Sequence, residues 1–138
     1  MSGDAALAPV YDNGNAFFNK RSLAQMEKRL TDKKAMHEDA CLSPLCAYKY
    51  SDPDPAKAGQ RINPFTFITG GENSDCSAAA FRFVNKANLA TIKNIIDCIP
   101  ETADGLTVMP LGQKAFYMEL MRIRFEQISD HIIKHGVH

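Results

Sequence analysis

The chain has 138 residues, 45% of them hydrophobic, which is enough for one domain (1–138) with a core of its own. Lys plus Arg and Asp plus Glu balance at 16 each, so no global field draws the protein to nucleic acid or to an anionic membrane, and direct nucleic-acid binding is not expected. No run approaches the ~18 apolar residues of a membrane span, and the first residues lack a basic flank followed by an unbroken apolar segment, so a cytoplasmic protein is expected.

Four cysteines, Cys41, Cys46, Cys76 and Cys98, form no Cys-x-x-Cys pair and are read as thiols in a reducing compartment. His37, Cys41 and Cys46 lie close in sequence, but their spacing matches no zinc pattern and a fourth ligand is not evident.

In chain order, the first informative stretch is Leu7-Ala8-Pro9-Val10-Tyr11-Asp12-Asn13-Gly14-Asn15-Ala16-Phe17-Phe18. Leu7, Val10 and Tyr11 suit a short strand, Leu7–Tyr11, that delivers the Asp12 carboxylate into a turn made by Asn13 and Gly14. A carboxylate at a strand tip can hold a hard cation such as Mg²⁺. The same Asp-Asn-Gly is also ordinary turn chemistry.

The string Leu7–Asn15 resembles the segment of HipA-like serine/threonine kinases that supplies the metal-binding acid, the counterpart of the aspartate in the DFG motif of ordinary protein kinases. The resemblance implies that Asp12 is a metal ligand, for Mg²⁺ together with ATP. The later pattern Phe116, Tyr117, Leu120, Arg124 on a long helix is similar in texture to the C-terminal lobe of that family. In the family the catalytic loop lies just upstream of the Pro-x-Tyr-Asp segment, yet only eight residues precede Pro9, and no phosphate loop or nucleotide-anchoring lysine is found. The expectation is therefore a piece of a kinase C-terminal lobe, inactive alone, with Asp12 as its metal ligand and no catalytic or nucleotide-binding residue assigned. Its partner would be an upstream kinase lobe or another protein, and any link to toxin–antitoxin systems comes from the resemblance. A non-catalytic helical interaction module is the alternative, since no nucleophile–base pair can be read.

Ser22 with Gln25 fits a capping box, followed by Leu23, Met26 and Leu30 at helical spacing. By the resemblance, Asn13 to about Leu42 takes the place of an activation segment. A plain amphipathic helix capped at Ser22 and Thr31 explains the same residues. From Ser43 to Gln60, prolines, Gly59 and Ser51-Asp52-Pro53-Asp54-Pro55 predict a mobile loop, residues 43–60. Asn63-Pro64 then starts a short helix stopped at Gly70-Gly71, with a strand through Phe65-Thr66-Phe67-Ile68 as the competing reading.

Ser74 or Asp75 can cap a helix to about Asn85, and Asn88 caps another carrying Leu89, Ile92, Ile95, Ile96 and Ile99, closed by Pro100. Asp104-Gly105 marks a turn before the last and longest helix, which begins near Leu111 with an apolar stripe of Tyr117, Met121, Phe125, Ile128 and Ile132, widened by Phe116, Leu120 and Ile123 beside it. Arg122, Arg124 and Lys134 read as a solvated face, with Glu119 and Glu126 as local partners. His131 and His135 are four apart, without the acid of a His-Glu-x-x-His motif. The predicted fold is mainly α with one short N-terminal strand or hairpin, its core built from the Leu89–Ile99 and Leu111–Ile132 helices packed together.

Overall fold

A computed structural model describes residues 16–18, 20–51, 55–71 and 73–135. These residues are mainly helical, with a single two-stranded antiparallel hairpin among them, in agreement with the fold class that the periodicity predicts. The predicted strand Leu7–Tyr11 lies outside the described residues.

The helices begin where local chemistry starts them. The helix α1 (Leu23–Leu30) opens on the predicted capping box: the Ser22 hydroxyl accepts from the Gln25 N–H, and the Gln25 side chain accepts from the Ser22 N–H at 2.9 Å. Thr31 closes α1, its hydroxyl donating to the Lys28 carbonyl, and Asp32 caps α2 (Lys33–His37) by accepting from Lys34 and Ala35. The helix then widens into a π turn, Glu38–Leu42. Such a turn brings consecutive side chains closer in direction than an α-helix does, and Asp39, Ala40 and Cys41 are all buried here.

The Pro/Asp-rich stretch is folded back on itself on both sides of its tip. The Cys46 N–H donates to Ile62, Ile62 to Tyr48 and Tyr50 to Gln60, and Lys49 and Arg61 form an isolated antiparallel bridge. Gly59 turns the return arm at φ +77°.

The competing strand and helix readings of Phe65–Ile68 resolve as helix, α3 (Pro64–Gly70), because Asn63 caps it from the Phe65 and Thr66 N–H groups and Pro64 occupies its first position. The same Asn63 donates its amide to the Cys41 and Leu42 carbonyls at 2.8 and 2.9 Å, so one side chain closes the π turn and starts α3. Gly71 ends α3 in the left-handed conformation. The next cap is Asn73, one residue before the predicted pair, and it starts α4 (Ser74–Lys86). Asn88 starts α5 (Leu89–Cys98) as predicted. Asp104 and Gly105 both have positive φ and join β1 (Thr102–Ala103) to β2 (Leu106–Thr107) in a two-residue hairpin turn.

The last helix, α6 (Leu111–His135), is the axis on which α1, α2, the π turn, α3, α4 and α5 all pack. One core cluster joins Met26, Met36, Ala40 and Cys41 to Phe116 and Leu120, and a second joins Ala80 to Ile128 and Ile132.

This corrects the predicted core in one respect. The helix α5 packs on α6 but has no buried residue, and Ile95 is 62% exposed. Among the helices α5 packs on α6 alone, while α1, α2, the π turn, α3 and α4 cover the rest of α6 and pack on one another. A cation fixes the end of α5: the buried Lys114 ammonium donates to the Asp97 carbonyl at 3.2 Å, against the negative end of the helix.

Candidate functional site

The chain enters the helical body at Phe17 and Phe18, immediately after the Asp12–Asn15 segment, and both rings pack against the first core cluster. Phe17 lies 5.1 Å from Tyr117, ring centre to ring centre. Phe18 holds a left-handed backbone at φ 55°, uncommon for a bulky residue, and its carbonyl accepts from the Arg21 N–H at 2.9 Å.

Two arginines lock this entry onto the π turn. The Arg21 guanidinium lies over the Phe18 ring at 4.4 Å and grips both carboxylate oxygens of Asp39. Asp39 is 1% exposed, and Arg29 approaches it from α1 at 3.3 Å, so one buried carboxylate organises α1, the entry segment and the π turn. Its hydrogen bond to Asp39 raises the Arg21 pKa above its ordinary value, against a smaller opposing effect of burial.

Arg124, on α6, is the second arginine. Its guanidinium sits 5.6 Å from the Phe17 ring and 5.5 Å from the Phe65 ring, and its Nε donates to the Ala40 carbonyl at 3.0 Å. Burial lowers the pKa of Arg124, with the nearby Cys41 opposing it, and burial raises that of the Cys41 thiol, with Arg124 opposing it. The expectation of a solvated face thus holds for Arg122, which pairs with Glu119 and Glu126, and fails for Arg124, which is turned inward. Spacing on α6 cannot reveal this, because Ala40 is 84 residues away in the sequence.

The predicted metal ligand Asp12 lies outside the described residues. Among the described residues, no three His, Cys, Asp or Glu side chains gather in a way that could hold a metal ion. Cys41 belongs to the first core cluster, while Cys46 points its thiol at the Tyr48 carbonyl. His131 is buried beside Gly71 at the end of α3, and the His135 side chain lies outside the described residues. All four cysteines are thiols. No described helix is long and apolar enough to cross a membrane.

Chemically, the arrangement is a clasp: two arginines and three phenylalanines fix the point where the Asp12 segment joins the helical body. Arg21, Asp39 and Phe65 are the residues that sequence reasoning did not single out for it. No family model matches the chain, and no curated protein or solved structure matches it.

Proposed function

We propose that the chain is part of the C-terminal lobe of a HipA-like serine/threonine kinase and that Asp12 is its metal-binding acid. The reading rests on the string Leu7–Asn15. The structural observation that carries it further is the clasp, which anchors the chain at Phe17, five positions after Asp12, on the π turn and α6. An acid that must hold a metal against a substrate gains from a fixed attachment nearby, because positioning supplies most of what a phosphoryl-transfer site contributes.

In this role Mg²⁺ on Asp12 would neutralise charge on the β- and γ-phosphates of ATP. Phe17, Phe18, Arg21 and Arg124 are positioning residues in this reading, fixing the chain where it follows the Asp12 segment. The phosphate loop, the nucleotide-anchoring lysine and the proton-accepting aspartate come from a partner lobe, and the hydroxyl acceptor is a serine or threonine of a protein. A cytoplasmic setting, with its ATP and reduced thiols, goes with this reading.

The test joins the 138-residue chain to a lobe that carries those missing parts and measures phosphate transfer from radiolabelled ATP to a protein substrate. Asp12→Asn should abolish transfer and leave the melting temperature unchanged, whereas the isolated chain should transfer nothing. Retained transfer in Asp12→Asn would remove Asp12 from the site.

A further inference from the structure

We infer that the trough between α4 and α5 is a docking groove for an acidic amphipathic helix of a partner protein. The two helices are joined by only Ala87 and Asn88, and each packs on α6, but they do not pack on each other. A shallow trough therefore opens between them. Ala79, Phe83, Ala87 and Ile92 give it an apolar lining, and Phe83 remains 41% exposed although its ring also approaches Phe125. Ile95, one turn beyond Ile92, continues the apolar surface along α5.

Charge identifies the occupant. Arg82 and Lys86 also line the trough, no acidic residue lines it, and neither cation forms an ion pair among the described residues. Another trough lined with several cations, at Arg21, Lys28 and Arg29, differs in this respect: Asp32 lines it, and Asp39 and Glu38 already pair with its arginines. Unspent positive charge beside apolar surface selects a segment with apolar residues on one side and carboxylates flanking them.

Shape favours a helix over a membrane surface. The trough is a shallow, elongated hollow between two helices, α4 runs about 20 Å at 1.5 Å per residue, and a third helix laid there would cover apolar surface of α5 that is exposed. Two cations on a chain of zero net charge are also few for holding an anionic bilayer. The inference is independent of the kinase reading.

The test uses the full chain and two fluorescein-labelled helical peptides of ~16 residues. Both carry leucines at i, i+3, i+4 and i+7; one has glutamates and the other lysines beside them. Anisotropy titration should show the glutamate peptide binding about three- to tenfold more tightly than the lysine peptide, as two surface charge pairs imply. The double variant Arg82→Glu/Lys86→Glu, whose sites are exposed and whose far-UV circular dichroism should match wild type, should reverse that preference. Thr91→Arg, an exposed change in the trough, should weaken both peptides.

Equal binding of the two peptides, or a preference that the double variant leaves intact, would overturn the inference. So would binding that appears only when residues 1–15 are removed, which would make the occupant a segment of this chain. A dimer of the chain dissolved by Thr91→Arg would assign the trough to a second copy and overturn it as well. Binding to phosphatidylserine vesicles that the double variant abolishes, with no binding of the glutamate peptide, would assign it to a membrane instead.

Discussion

Around Phe116 and Leu120 on α6, α1 and the π turn leave no side-chain surface to solvent, whereas α5, packed on the same helix, buries none of its own side chains. The first region is held by three kinds of interaction at once: the Met26–Met36–Phe116 cluster, the Arg21–Asp39–Arg29 network and the Asn63 bridge between the π turn and α3. The second relies on partial apolar contact, the Asn88 cap and one lysine at the helix end. The hairpin that follows α5 presents Leu106 at 72% exposure. The more apolar helix, α5, thus buries less than α1, because burial is decided by how many sides of a helix find neighbours. A region whose apolar surface is only half covered retains capacity for a partner.

The contrast can be broken by substitution. Phe116→Ala removes a fully buried ring from the first cluster and should cost about 3–5 kcal/mol in urea denaturation. A loss below about 1 kcal/mol would mean that the packing there is far looser than described. Asp39→Ala should follow at about 3 kcal/mol, since it leaves Arg21 and Arg29 facing each other without the buried carboxylate that both approach. Asn63→Ala removes a cap and the donor to two carbonyls, for about 2 kcal/mol by the same measurement. Ile95→Ala should cost no more than about 0.5 kcal/mol, given its exposure. If it costs as much as Phe116→Ala, the two regions do not differ.

The smallest expected effect is pH-dependent. Hydrogen bonding from Arg122 holds the Glu119 carboxyl below its ordinary value of 4.5. A depressed carboxyl contributes stability that is present above its unfolded pKa and is lost as pH falls through the folded one. Glu119→Gln should therefore be slightly less stable than wild type at pH 7, and the gap should close as pH falls below about 4. Both Glu119 and Arg122 are partly solvated, so the change should be small and should shrink further in salt.

Much of the helical layout was legible because its signals are local. Ser22 with Gln25, Asn63 with Pro64, Asn88, and the Asp104-Gly105 turn each act through backbone groups no more than four residues away, so a linear reading finds them. The stripe of α5 was equally legible as a helix, but nothing within it tells how far neighbouring helices will cover it. Pairing of Lys49 with Arg61 was hidden for another reason: the arms are too short for alternation, and prolines dominate the stretch between them. The clasp was the least legible part. Asp39 reads as a surface acid until Arg21 and Arg29 are brought to it across a turn and a helix, and Arg124 reads as a surface cation until Phe17 and Phe65 enclose it. Asp12 was reached through the resemblance and a strand-end turn, signals that lie in a segment outside the described residues.

Native-state hydrogen exchange followed by mass spectrometry compares the two regions on one molecule and reports the opening free energy of each. Amides of Leu23–Leu30 and of the first half of Leu111–His135 should exchange only with global unfolding, while those of Leu89–Cys98 should exchange through a lower-energy local opening and gain protection when the glutamate peptide is added. Protection of Leu89–Cys98 equal to that of the α6 core, with no change on adding the peptide, would contradict the division of the molecule into a clasped core and an open docking flank.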